Sequence, residues 1–185
     1  PDLAFGDRGA PPDVHRALVN VGTGAFVQRI APPGAPWPDG LLRGVVCADA
    51  DGVLTSHEGT VNGAGSALDW LRERVAIDMD RGLADLAAHA SPIAELPLFM
   101  NGVGGLGAPF WRPDFPCEFV GDGDPPARLA AVVESIVFLL GVNLARLERS
   151  AALRRIRISG GLARNDYLCR CLASLSGLPV ERPAA

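Results

Sequence analysis

The feature that most restricts the fold of this chain is an apolar stretch over residues 129–144, which only Glu134 and Asn143 interrupt. It is shorter than the roughly 20 residues that cross a bilayer, so it has to be buried by the rest of the chain. Asp124 precedes Pro125 and Pro126, and this order favours a helix start with an N-cap and prolines in the first turn. The stretch therefore predicts a long helix in the core of a globular domain.

Shorter elements surround this helix, with strands first and then helices alternating with strands. The predicted strands are 16–21, 25–30, a hairpin of 45–48 with 52–55, 96–100, 153–158 and 178–181. The predicted shorter helices are 62–75, 80–90 and 165–176, and the Gly- and Pro-rich segment 101–116 is predicted to pack as an ordered loop. This order favours one mixed α/β domain over a doubly wound parallel sheet.

Composition excludes several classes of function. The net charge is −4 with 21% charged residues, so no basic surface is expected for nucleic acid or for an anionic membrane. All 17 basic residues are Arg, which excludes a P-loop lysine or a Schiff-base lysine within the chain.

The cysteines and histidines indicate no built metal site. The four Cys lack C-x-x-C spacing and are expected to be small buried residues in a reducing compartment, which favours a cytoplasmic location. The three His are scattered, so a protein-built metal site is not expected.

Three turns of small residues could bind a ligand. Gly22, Thr23 and Gly24 join two predicted strands, where free backbone N–H groups would suit a phosphate and a plain hairpin turn is the alternative. Residues 63–67 (GAGSA) begin a predicted helix, where either a ligand or a packed neighbour could come close. Residues 159–165 (SGGLARN) join a strand to a helix, with room for a ligand ring or with Asn165 as a helix cap. Spread over the whole chain, the three could converge on one nucleotide.

Four segments in this order carry a family resemblance: 20–26 (NVGTGAF), 57–71, 105–114 (GLGAPFWRPD) and 159–166 (SGGLARND). Together with the ending 177–183 they resemble the C-terminal domain of the FGGY carbohydrate kinases, most of all the glycerol kinases. The resemblance implies the α/β, ribonuclease H-like lobe of the actin-like ATPases and sugar kinases. It also implies ATP and Mg²⁺ as cofactors.

The resemblance assigns ATP-binding roles to seven residues: Gly22, Thr23, Gly24, Gly65, Asp69, Gly161 and Asn165. The first three would contact phosphates, and Gly65 would lie near the phosphates and the ribose. Gly161 would lie under the adenine and Asn165 would bond to it. Asp69 stands where glycerol kinases usually have Gln, and Ser159 replaces the usual Asp.

The catalytic residue stays unknown. In register with the family, residues 3–6 follow the Gly-Asp-Gln motif that holds the catalytic Asp, so the base would lie just upstream of Pro1. Asp7 is a poor substitute because Arg8 follows it rather than Gln.

The expected function is ATP-dependent phosphorylation of a polyol or sugar hydroxyl, such as that of glycerol. Residues 1–185 would form a single nucleotide-binding domain whose partner is a missing N-terminal lobe, which would hold the substrate and most Mg²⁺ ligands. The isolated chain is expected to be inactive. Two alternatives stay open: a non-catalytic nucleotide-binding module (a pseudokinase) of the same fold, and another actin-like ATPase or a purely structural domain. The identity of the polyol or sugar is not fixed by the sequence, and a homo-oligomer is also left open.

Overall fold

A mixed sheet of six strands forms the centre of the computed structural model, which describes residues 12–50, 52–88 and 96–183. The strands of the chain are β1 (Arg16–Val21), β2 (Ala25–Ile30), β3 (Leu42–Asp49), β4 (Gly52–Val61), β5 (Leu98–Met100), β6 (Glu118–Val120), β7 (Arg155–Ser159) and β8 (Val180–Glu181). The central sheet has the order β3-β4-β2-β1-β7-β8. Its β1–β2, β2–β4 and β3–β4 pairs are antiparallel, whereas β1–β7 and β7–β8 are parallel. Because β1 and β7 are parallel neighbours, their C-terminal ends lie side by side.

The helices are α1 (Gly65–Arg72), α2 (Met79–Ala88), α3 (Pro125–Glu148) and α4 (Asp166–Ser176), and a 3₁₀ helix spans Gly161–Arg164. The long helix α3 confirms the prediction from the apolar stretch. Its N-cap is Asp124, whose carboxylate accepts a hydrogen bond from the N–H of Ala127 at 2.9 Å. The predicted apolar face is buried throughout: Leu129, Val132, Val133, Ile136, Leu140, Leu144 and Leu147.

The length of α3 corrects the expectation that this apolar segment is too short to cross a bilayer. The helix has 24 residues, so by length and composition it could cross a membrane, unlike the shorter apolar stretch. However, 61% of its most apolar part is buried inside the domain, as in the core helix of a globular protein. Ala17, Val19 and Val21 of β1 and Ile156 and Ile158 of β7 belong to the same buried core.

A small two-stranded sheet, β5 with β6, holds the Gly- and Pro-rich segment in place. Trp70 of α1 packs against Phe99 and Phe119, with ring centroids 5.2 and 6.1 Å away. The segment between these strands is ordered as predicted, because the carbonyl of Ala108 accepts a hydrogen bond from the buried Asn143 at 3.0 Å.

Several predicted boundaries were wrong. The hairpin of β3 and β4 is longer than expected, α1 begins at Gly65 rather than residue 62, and β6 was not predicted. The predicted helix 165–176 is preceded by the separate 3₁₀ helix, and α4 itself begins at Asp166. The cysteines are not buried: Cys47 is exposed and the other three are half-buried free thiols. The predictions for residues 1–11, including Asp7, lie outside the described residues, as does the end of the predicted helix 80–90.

Candidate functional site

The first two glycine turns are in direct backbone contact. The N–H groups of Gly65 and Ser66, which open α1, donate to the carbonyls of Gly22 and Thr23, both at 2.9 Å. A Cβ on Gly65 would lie 2.7 Å from the Gly22 oxygen, closer than any side chain tolerates. Gly65 is therefore required for packing of the helix against the turn, which is the packing alternative that the sequence left open. Two N–H groups of the α1 N-terminus are consumed by this contact.

The third turn touches the first from the other side. Gly160 has φ +96°, and a Cβ there would lie 2.4 Å from the oxygen of Val21. Asn20 donates from its side-chain nitrogen to the Ser159 hydroxyl at 3.0 Å, in line with the pairing of these residues across β1 and β7. The structure thus brings all three turns together at the C-terminal end of β1. Open α/β sheets bind their ligands at this end of the strands.

The Gly22–Gly24 turn presents free hydrogen-bond donors. The N–H of Gly22 is used within the turn, donating to the carbonyl of Gly24 at 2.9 Å. In the described part of the chain, the N–H groups of Thr23 and Gly24 and the Thr23 hydroxyl have no partner, and Thr23 is exposed. Three donors around one exposed turn suit an anion such as a phosphate.

Gly161 offers an open surface beside these donors. It is exposed, and a Cβ built on it would meet no atom within 4 Å. Its backbone can therefore be covered by a flat group without displacing any part of the domain.

Asn165 is a buried helix cap in this structure. Its side-chain oxygen accepts from the N–H of Leu168 at 3.0 Å, and its side-chain nitrogen donates to the carbonyl of Leu83 on α2 at 3.0 Å. One N–H and one lone pair of the amide remain beyond these two bonds. Asn165 thus fixes the start of α4 relative to α2, at the end of the 3₁₀ helix that Gly161 begins.

Asp69 lies on the exposed side of α1, one helical turn after Gly65. Its carboxylate forms an ion pair with Arg72 at 2.9 Å, with both side chains largely exposed. Gly65 and Asp69 are four residues apart and therefore share one face of α1.

Two side chains that hold the elements of the candidate site in place were not predicted from the sequence. Asn101 is buried and donates from its side-chain nitrogen to the carbonyl of Gly63 at 2.8 Å and to the Ser135 hydroxyl at 3.0 Å, which anchors the start of α1 to α3. Arg182 donates from Nε to the carbonyl of Ala163 at 2.7 Å, and this hydrogen bond fixes the 3₁₀ helix. The only sequence signal for Asn101 is an amide side chain within an otherwise Gly-rich loop.

Arg182 also pairs with Asp166 at 2.6 Å. The hydrogen bond and the charge of the guanidinium hold the pKa of the Asp166 carboxyl below its ordinary value. Within the described ranges, no three His, Cys, Asp or Glu side chains are grouped to hold a metal ion, so no Mg²⁺ ligand is assigned among these residues.

The mixed sheet, its helices and the glycine turns at the end of β1 define a lobe of the actin-like ATPase and sugar kinase class. Comparison with known proteins narrows this class. Residues 17–185 match the family described as the FGGY family of carbohydrate kinases, C-terminal domain. The chain therefore belongs to the FGGY family of carbohydrate kinases.

Individual relatives agree with this assignment. The chain is 32% identical over 177 residues to a glycerol kinase of Halothermothrix orenii, covering 89% of the chain and 34% of that relative. Its structure is similar to Plasmodium falciparum glycerol kinase with ADP (TM-score 0.77, 22% identity, 90% of this chain and 34% of that one). It is also similar to a xylulose kinase from Bifidobacterium adolescentis (TM-score 0.76, 22% identity, 100% of this chain and 36% of that one). The chain spans about a third of the length of the relatives it matches.

Proposed function

We propose that this chain is the nucleotide-binding domain of a kinase that transfers the terminal phosphoryl group of ATP to a hydroxyl of a polyol or sugar. The observation that carries the proposal is the convergence of the three glycine turns around the free donors of Thr23 and Gly24. Membership of the carbohydrate kinase family supports the same reaction class.

The geometry supports one orientation of the nucleotide. The two free N–H groups and the hydroxyl of the Gly22–Gly24 turn would face the phosphates, where donors fixed by the fold stabilise developing negative charge. The open backbone of Gly161 would lie under the base, with Asn165 holding that turn in place. ATP supplies the transferred phosphoryl group, whereas the residues of this chain bind and orient it.

Gly65 and Asp69 line the α1 side of the proposed site. Gly65 would lie near the phosphates because it contacts the turn itself. The Asp69 carboxylate is better suited to the ribose hydroxyls than to the phosphates, because it carries the same charge sign as the phosphates.

A second lobe would supply the rest of the reaction. We infer that residues 1–185 act as one domain and that an N-terminal lobe binds the polyol or sugar. Glycerol is the first substrate to test, because curated relatives that are 30% and 32% identical to the chain are glycerol kinases. The proposal includes a cytoplasmic location, where ATP and such substrates are available.

A non-catalytic nucleotide-binding module is the second candidate. It is favoured by two departures from the family's usual residues: Asp69 stands where glycerol kinases usually have Gln, and Ser159 replaces the usual Asp.

Calorimetric titration of ADP into the chain joined to its upstream lobe tests the nucleotide site. Thr23→Val removes a free donor and Gly161→Trp fills the open surface, so each is expected to weaken ADP binding about tenfold or more. Thr55→Val and Ala152→Trp are matched controls on β4 and on an exposed turn after α3, and both are expected to bind like the parent.

The outcomes separate the candidates. Absence of ADP binding by the parent, or equal binding by all variants, would refute both nucleotide-based candidates. ADP binding together with glycerol- or sugar-dependent release of ADP from ATP supports the kinase. ADP binding without turnover on any polyol or sugar supports the non-catalytic module.

A further inference from the structure

The 3₁₀ helix places Arg164 on the same side as Gly161. A 3₁₀ helix has about three residues per turn, so side chains at positions i and i+3 lie one above the other. Gly161 begins this helix and Arg164 ends it. Both residues are exposed, while Ala163 between them is buried. The guanidinium of Arg164 thus extends from the side of the helix that bears the open surface.

Arg164 has no partner within the described residues, whereas nearby arginines do. Arg182 bonds to Ala163 and Asp166, and Arg72 pairs with Asp69. Among residues 12–50, 52–88 and 96–183, no hydrogen bond or ion pair involves the Arg164 side chain. Its planar guanidinium is therefore free to contact a ligand placed on Gly161.

The remainder of the 3₁₀ helix is fixed from two directions. Gly160 at its start packs against Val21, and Arg182 holds the Ala163 carbonyl at 2.7 Å from the opposite side. A ligand can therefore bind over Gly161 without rearranging the backbone, and only the Arg164 side chain has to adopt a new position.

We propose that the guanidinium of Arg164 stacks on the base of the bound nucleotide, on the face opposite to the one that rests on Gly161. This inference rests on the proposed function, since it concerns the same nucleotide site. Guanidinium groups stack on aromatic rings and are weakly hydrated, so the contact adds affinity that depends on the base. The phosphates are assigned to the Thr23 turn, which Gly160 separates from Arg164.

The test compares a ligand that has a base with one that does not. ADP and inorganic tripolyphosphate are titrated calorimetrically into the chain joined to its upstream lobe, and into its Arg164→Ala and Arg164→Lys variants. Arg164→Ala is expected to weaken ADP binding about three- to tenfold and to leave tripolyphosphate binding unchanged. Arg164→Lys keeps the charge without the planar group, so it is expected to recover only part of the ADP affinity.

Arg149→Ala is the matched control. Arg149 is also exposed, has no side-chain partner in the described chain and lies just after α3, near the start of β1 rather than its end. This variant is expected to bind both ligands like the parent.

The results distinguish the two proposals. If the parent binds ADP and Arg164→Ala binds it equally well, the stacking proposal is wrong and the nucleotide site stands. Equal losses for ADP and tripolyphosphate would place Arg164 on the phosphates and would also overturn stacking. If the parent does not bind ADP, the proposed function and the inference fail together.

Discussion

Arg29 on β2 is a fully buried arginine whose side chain caps the C-terminus of the long helix α3. Its Nη1 donates to the carbonyls of Leu147 at 3.1 Å and Ala151 at 2.8 Å, and its Nη2 donates to the carbonyl of Val14. The last carbonyls of a helix lack partners within the helix and carry its negative partial charge, so a buried guanidinium stabilises this end. One side chain therefore joins β2, the end of α3 and the start of β1.

Replacement of Arg29 is expected to destabilise the domain strongly. Arg29→Met keeps much of the volume but leaves three carbonyls without their donor, so the unfolding free energy should fall by roughly 2–4 kcal/mol. Urea denaturation of the two proteins measures the change. Arg154→Met is the control, because Arg154 is exposed and has no side-chain partner among the described residues, so stability should change by less than about 0.5 kcal/mol. Equal effects of the two variants would show that Arg29 does not cap α3.

His57 on β4 makes the stability of the domain depend on pH. The side chain is 3% exposed and lies opposite Arg29 on β2 and Arg43 on β3. Burial and the two positive charges lower the pKa of this imidazole below its ordinary value of 6.5. Below about pH 6.5 the unfolded chain therefore takes up a proton that the folded chain does not.

The unfolding free energy is accordingly expected to decrease as pH falls from about 7 toward 5 and to level off at pH values above about 7. Thermal unfolding at closely spaced pH values measures this dependence. In His57→Gln the part of the dependence that begins near pH 6.5 should disappear. If that variant keeps the same pH profile as the parent, another group is responsible.

At the scale of residues, the sequence predicted the local role of a side chain better than it predicted its contacts with distant residues. Asn165 was assigned two roles, helix cap or contact to a base, and the structure shows the cap. Its bond to Leu83 could not be predicted because the two residues are far apart in sequence and no local pattern relates them. The same is true of the pair formed by Arg29 and the end of α3.

At the scale of elements, the contact between α1 and the Gly22–Gly24 turn is the arrangement on which the candidate site depends. Gly65→Ala would place a methyl group 2.7 Å from the Gly22 oxygen, so helix or turn has to shift. The variant is expected to lose about 1–3 kcal/mol of unfolding free energy and to bind ADP more weakly.

Gly161→Ala provides the matched comparison for that variant. The added methyl group meets no atom within 4 Å, so the thermal midpoint should stay close to that of the parent. A stable Gly65→Ala protein with unchanged ADP affinity would contradict the role assigned to the contact. Both measurements are made on the same preparations.

Elements were predictable where one periodic pattern covered them. The period of α3, the short apolar and β-branched run of β1 and the alternation in β2 located these elements, because each is buried against the core. The second half of β4 was missed because it contains Ser56, His57, Glu58 and Gly59, which lack a hydrophobic alternation. Glu58 is instead held by a hydrogen bond from Gln28 across the strands, a contact that only the fold creates.

At the scale of the whole molecule, the order of four short motifs predicted the family although each motif was ambiguous alone. Their convergence could be expected from their positions at the ends of strands, and the structure places all three turns in contact. The acceptor substrate was not predictable, because none of the four motifs distinguishes glycerol from a sugar. The chain spans about a third of the length of the relatives it matches.

The isolated chain is therefore expected to bind ADP without catalysing phosphoryl transfer. A general base has to lie within hydrogen-bond reach of the substrate hydroxyl, and the proposed kinase takes both the base and the acceptor site from residues upstream of this domain. A coupled assay of ADP release, with ATP and either glycerol or xylulose, should give no polyol- or sugar-dependent rate for the chain alone. Joining the upstream lobe should restore that rate, and Thr23→Val in the joined protein should reduce it about tenfold or more. Turnover by the isolated chain that depends on glycerol would show that the base lies within these 185 residues.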